Sequence, residues 1–266
     1  MKKKLIIIGM DGCRFDSLML AKTPNIKKLI GANCLVWQAI TTKRPSSGPA
    51  WTSMLTGVWP KKHKVINEKF QNSNFKQYPT IFEMIKKVQP KTITASIVNW
   101  EPINTKIIKN ANILISLNDD SKVTKKTIDL IKNKNPDILF VHFDSIDAAG
   151  HKYGYGPIIE YIENIEKVDF LIGKLLKVIE ERKKKLNEEW LIIITTDHGG
   201  SKKTHGKNNI ENRKIFIITN REKNKYRKIK ETGLIVDVAV MALNHFNIKS
   251  DQKGDLDGSL LFDKIA

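Results

Sequence analysis

Aspartates and histidines recur at the ends of apolar runs in this chain, in types and spacings suited to holding divalent metal ions. Asp197-His198-Gly199-Gly200 closely follows the apolar run Leu191 to Ile194, and His205 comes seven residues after His198. A carboxylate oxygen beside an imidazole nitrogen makes a good ligand pair, and the glycines let the backbone turn without covering them. Asp147 and His151 are four residues apart, which on a helical turn places both on one face where they can share an ion. Asp11 follows the run KLIIIG and reads as either a metal carboxylate or a helix cap. Each element has a plainer reading: Asp197 capping a turn with His198 as a polar loop residue, Asp147 as a turn residue with His151 exposed. Asp144 competes with Asp147 but lacks a partner at +4. Ser47 precedes Pro49, a residue suited to the first turn of a helix, and Gly57 is placed to end that helix. By base rate Ser47 is an N-cap. The same place favours an alkoxide nucleophile, because a helix N-terminus stabilises negative charge, and a serine there needs a base or a metal to activate it.

The elements that must position these residues follow from apolar patterning. The runs KLIIIG at 4–9, DILFVHF at 137–143 and LIII at 191–194 are predominantly apolar without alternation, as in parallel strands buried on both faces. Open α/β sheets collect ligands at the carboxyl ends of such strands. Further strands are expected at 35–41, 93–98 and 214–219, and helices at 25–31, 81–88, 123–133, 158–182 and 235–246; segment 104–123 gives no clear pattern. The expected architecture is a single α/β domain over 1–266, without a large cap insertion. His63, His142 and His245 are most simply structural, Cys13 has no obvious partner, and Cys34 is expected in the core.

Three strands thus end in Asp11, in Asp147 with His151, and in Asp197-His198 with His205. Brought to one sheet edge they make six candidate ligands and a serine, enough for two divalent ions. Three carboxylates against two such ions leave a charge of about +1, which suits a tetrahedral anion and in-line phosphoryl transfer to Ser47.

Composition narrows the class. Of 46 basic residues six are arginine, and the net charge is +18. The lysines spread along helix-like segments, and aromatics do not interleave with them, so a solvated surface that attracts small anionic substrates is favoured over a nucleic-acid interface. Two cysteines without a C-x-x-C pair suggest a reducing compartment. The basic start at 2–4 and the apolar run after it read as a first strand rather than a signal, and no stretch approaches the ~20 apolar residues of a membrane span. A cytoplasmic protein is the expectation.

Taken together, the strand with Asp11-Gly12, the block from Ser47 to Pro60 with His63, the run Asp147-Ala148-Ala149-Gly150-His151-Lys152-Tyr153-Gly154, and Thr196-Asp197-His198-Gly199-Gly200 resemble the alkaline phosphatase superfamily. The nearest likeness is to its type I phosphodiesterase/nucleotide pyrophosphatase branch. The resemblance implies a three-layer sandwich with a mostly parallel sheet, and phosphodiester hydrolysis through a phosphorylated Ser47. It implies one ion, usually zinc, on Asp11, Ser47, Asp197 and His198, and another on Asp147, His151 and His205; Mn2+ or Mg2+ would also suit the set. Ala50 stands where nucleotide pyrophosphatases commonly carry Asn, and Trp51 stands near where a sulfatase would carry Arg. Other reactions of the superfamily, on monoesters, phosphonates or sulfate esters or by transfer to another acceptor, share this constellation. From a different class, a catalytically inactive basic nucleic-acid-binding protein is the less favoured reading.

Overall fold

The computed structural model describes residues 1–31, 34–248 and 255–264. In chain order the strands are β1 (Lys2–Met10), β2 (Cys34–Ile40), β3 (Thr94–Val98), β4 (Ile113–Ser116), β5 (Ile138–Phe143), β6 (Glu188–Thr195), β7 (Lys214–Glu222), β8 (Tyr226–Arg227), β9 (Thr232–Leu234) and β10 (Asp263–Lys264). The α-helices are α1 (Phe15–Leu20), α2 (Pro24–Gly31), α3 (Ser47–Thr56), α4 (Pro60–His63), α5 (Ile81–Val88), α6 (Asp120–Asn133), α7 (Ser145–Tyr153), α8 (Ile159–Lys185), α9 (Ile210–Arg213) and α10 (Asp237–His245).

Eight strands form one sheet in the order β4-β3-β5-β1-β6-β7-β2-β9, mostly parallel, with β7 antiparallel to both of its neighbours. Side chains along β1 alternate between two cores, as a strand buried on both faces must. Leu5 and Ile7 pack with Met54 and Leu55 of α3, Ile85 of α5 and Val238 of α10. Ile6, Ile8 and Met10 pack with Ile26 of α2, Val123 of α6 and Ile165 and Ile172 of α8. The result is three layers, an alkaline-phosphatase-like arrangement, in which each fully buried aliphatic side chain contributes about 1.5–3 kcal/mol.

Register places the site. β1 lies between β5 and β6, with Leu5 opposite both Ile138 and Leu191 and Gly9 opposite both His142 and Thr195. The three chains therefore leave the sheet at one level, carrying Asp11, Asp144 and Asp197 out together. At the far end of β1 the Lys4 ammonium is buried and held by Asp137 Oδ1 at 2.8 Å, Asn135 Oδ1 at 2.7 Å and the Pro136 carbonyl at 3.0 Å.

Several elements lay beyond the sequence pattern. In 104–123 the chain makes a π-helical turn, Ile103–Ile107, and then the short edge strand β4, whose alternate residues are exposed. Four residues of alternation among Asn and Lys are too few to announce a strand. α8 runs on to Lys185 and β7 to Glu222, both ending in polar residues that give no apolar signal. No helix among the described residues is long and apolar enough to cross a membrane.

Candidate active site

Ser46 is the N-cap of α3, so Ser47 is the first helical residue, and Gly57 ends the helix in a left-handed conformation at φ 73°. The Ser47 hydroxyl lies 3.3 Å from His198 Nε2 and 3.5 Å from Asp11 Oδ1. His198 Nε2 is in turn 3.3 Å from Asp197 Oδ2 and 3.5 Å from Asp11 Oδ1. Four residues from three separate parts of the chain thus face a common point. Beside them, ligand atoms of Asp147, His151 and His205 lie within 4.8 Å of one another, and the same holds for Asp11, Asp147 and His198, so the two groups adjoin. His205 stacks on His198 with ring centroids 3.9 Å apart. Every residue singled out from the sequence for the site is therefore brought to one sheet edge.

The histidines share one device. Nδ1 of His198 faces the Gly199 carbonyl at 2.8 Å, that of His151 the Lys203 carbonyl at 3.1 Å, and that of His205 the Pro45 carbonyl at 3.2 Å. A carbonyl can only accept, so each Nδ1 donates to it, and Nε2 is the nitrogen each ring turns toward the site. Metal-binding histidines are oriented in this way by their second nitrogen.

The carboxylates divide by environment. Asp11 is buried, which alone would raise its pKa, but the hydrogen bond and charge of His142, the charge of His198 and the Trp51 N–H hold it well below the usual range. Asp197 is raised well above that range by burial and by the charges of Asp11 and Asp147. Its Oδ1 accepts the Gly12 N–H at 3.2 Å, whereas its Oδ2 is buried without a hydrogen-bond partner. An orphaned carboxylate oxygen is costly, and a cation is the group that satisfies it. Burial and the charge of His198 bring His205 down to about 4, so it is neutral at pH 7. His151 is pushed up to about 9 by its hydrogen bond to Asp147, whose Oδ2 is 3.2 Å away.

Other residues at the site were not read from the sequence. His142 is a correction: it is more than a core histidine, because its Nε2–H donates to Asp11 Oδ2 at 2.8 Å. Trp51 Nε1–H donates to the same oxygen at 2.9 Å. Trp51 sits one helical turn beyond Ser47, and its ring lies so close over β1 that a Cβ at Gly9 would be 2.5 Å from it. An imidazole in an otherwise apolar strand and an indole at i+4 were signals of a sort. Asp144 groups with Asp11 and His142 within 4.8 Å, and burial with the charge of Asp11 raises it to about 7. Tyr155 and Glu68 reach the site through tertiary folding and left no local trace. His63, against Ser53 Oγ at 2.9 Å, and His245, against the Lys4 carbonyl at 2.9 Å, lie away from the site and serve structure.

An anion-accepting helix start, a serine at its first position and a convergent set of aspartates and histidines at the edge of a three-layer sheet define the alkaline-phosphatase-like class. Within it, the model of the family described as type I phosphodiesterase / nucleotide pyrophosphatase matches residues 5–256, and the chain belongs to that family. Venom phosphodiesterase 2 of Crotalus adamanteus is 27% identical over 209 residues, 67% of this chain and 25% of that protein. The chain spans less than half the length of the curated relatives it matches. Murine ectonucleotide pyrophosphatase / phosphodiesterase 5, an inactive form in complex with AMP, superposes with a TM-score of 0.77 at 14% identity, covering 97% of both chains. The C-terminal periplasmic domain of EcEptC from Escherichia coli, in complex with Zn, gives 0.67 at 13% identity over 94% of this chain and 84% of that one. At these identities the structural likeness speaks for the fold.

Proposed function

We propose that this chain is a metal-dependent phosphohydrolase that cleaves nucleotide-type phosphodiester bonds with Ser47 as nucleophile. The observation that carries the reading is the Ser47 hydroxyl facing His198 Nε2 and Asp11 Oδ1, beside an Asp197 oxygen that is buried and unpartnered. Family membership, a relative named as a phosphodiesterase and a structural neighbour in complex with AMP support the substrate class.

The donor set fits two divalent ions, zinc first. Asp11, Ser47, Asp197 and His198 would hold one, and Asp147, His151 and His205 the other. Bound ions would supply the positive charge that favours the serine alkoxide and offsets charge on the phosphoryl oxygens. The chain's own residues do the rest. Trp51 and His142 hold one oxygen of Asp11 and leave the other toward Ser47. The dipole of α3 favours negative charge on Ser47. Ser47 Oγ gives up its proton and attacks phosphorus in line as the bond to the leaving oxygen breaks; the leaving oxygen takes a proton to depart as an alcohol, and phosphorus stays on Ser47 with its second ester group intact. Water then cleaves the Ser47 Oγ–phosphorus bond, releasing a phosphomonoester and restoring the hydroxyl.

Metal content of protein purified without chelator, with Ser47→Ala assayed on bis(p-nitrophenyl) phosphate, tests the reading. About two ions per chain and turnover reduced at least 1000-fold in the variant are expected. Activity that survives chelation, or normal turnover by Ser47→Ala, would overturn it.

A further inference from the structure

The start of α3 already faces an anion, one that belongs to the protein. The Gly48 N–H, one residue after the nucleophile, donates to both carboxylate oxygens of Glu68, at 3.1 and 2.9 Å. The approach is close because position 48 has no side chain: a Cβ there would meet Glu68 Oε2 at 2.7 Å and the Asn67 carbonyl at 3.1 Å. The segment bearing Glu68 is anchored on both sides. Val65 is buried and its N–H donates to His63 Nδ1 at 3.0 Å, Phe70 is buried against Trp100, and the Lys69 N–H donates to Asn67 Oδ1 at 2.9 Å. The outer part of Glu68 stays open to solvent. Its carboxylate is within electrostatic reach of both Asp11 and His198, and burial of its inner side raises its pKa.

We propose that Glu68 is a charge filter for substrate at Ser47, selecting monoanionic phosphodiesters over dianionic phosphomonoesters. This rests on the phosphohydrolase reading above. A fixed carboxylate beside the nucleophile takes up an amide that would otherwise bind a phosphoryl oxygen. It also repels a second negative charge more than a first. A diester phosphate brings one charge to the site; a monoester at neutral pH brings nearly two. A helix cap alone would affect stability but not this choice.

Glu68→Gln removes the charge and keeps the shape, and Glu68→Ala removes both. The measurements are kcat/KM on bis(p-nitrophenyl) phosphate and on p-nitrophenyl phosphate, with calorimetric titration of inorganic phosphate into each metal-loaded protein. The diester-to-monoester ratio is expected to fall at least tenfold in both variants, which is about 1.4 kcal/mol of discrimination. Inorganic phosphate should bind them at least about fivefold tighter than it binds the parent. An unchanged ratio with unchanged phosphate affinity, in variants whose thermal unfolding shows them folded, would overturn the proposal. Should the parent turn over neither ester, the phosphodiester reading fails, and the phosphate titration still decides whether Glu68 opposes anions.

Discussion

Tyr155 gives its hydroxyl hydrogen to Asp147 Oδ1 across 2.6 Å, leaving Oδ2 of that carboxylate toward His151. The ring reaches this point between two glycines: a Cβ at Gly150 or at Gly200 would lie 2.3 or 2.4 Å from it. Tyr155 is therefore a positioning residue for the group Asp147, His151 and His205. Groups that orient a metal ligand typically change metal affinity about 10–100-fold when lost. Tyr155→Phe is expected to weaken one of two zinc equivalents by about that factor in competition with a chromophoric chelator, leaving the other near its parent value. Equal affinity for both equivalents in parent and variant would remove Tyr155 from this role.

Asp197 makes a prediction in the opposite sense. Its folded pKa is raised above the unfolded value, so ionising it costs folding free energy at neutral pH, and that cost is relieved as pH falls. With chelator present, Asp197→Asn should unfold at a higher temperature than the parent, by the equivalent of about 1–3 kcal/mol. With zinc added the order should reverse, since the parent gains from the ion and the variant does so far less. Thermal unfolding with and without zinc checks both signs; a variant less stable in chelator would contradict the account of the unpartnered oxygen.

His151 sets a pH window. Its folded pKa of about 9 lies above the ordinary 6.5, so the stabilisation from its pairing with Asp147 is complete below 6.5 and is lost as pH rises through about 9. The stability gap between the chelated parent and His151→Gln should close over that interval. Zinc must displace the same proton, so affinity at this group should strengthen by up to about tenfold per pH unit below 9. Zinc titrations at pH 6.5, 7.5 and 8.5 measure this slope, and a flat profile would place the proton elsewhere.

Gly9→Ala tests packing as the means of aiming Asp11. The added methyl would press on the buried Trp51 ring, a cost of about 1–3 kcal/mol. Moving that ring also strains its hydrogen bond to Asp11, so activity should fall more than unfolding free energy alone explains. Denaturant unfolding alongside kcat/KM on the diester would show it. Unchanged activity in a destabilised variant would mean that His142 suffices to hold Asp11.

The sheet and most of the candidate site could be read from the chain because both rest on short-range pattern. Unalternating apolar runs gave β1, β5 and β6, and turn residues after them marked Asp11, Asp147 and Asp197 as edge residues. The i,i+4 spacing of Asp147 and His151 gave a real contact because α7 is a helix there. What escaped came from long-range placement. Glu68 is twenty residues beyond Gly48, which it touches, and Tyr155 meets Asp147 only because the chain turns back at Gly154. His142 read from the sequence as structural, and only the register of β5 with β1 brings its ring beside Asp11. β4 and the π-helical turn lie in a polar segment whose pattern is shorter than any periodicity can register.

The three carbonyls that fix the imidazoles, on Pro45, Gly199 and Lys203, are main-chain atoms. Tautomer choice is thereby inherited from the path of three loops rather than from any side chain a point mutation could delete. Substitutions at position 203 should leave the imidazole of His151 correctly protonated, whereas inserting or deleting one residue in 199–205 would turn a ring and present the wrong nitrogen. Loop length, more than loop composition, is the heritable specification of this centre.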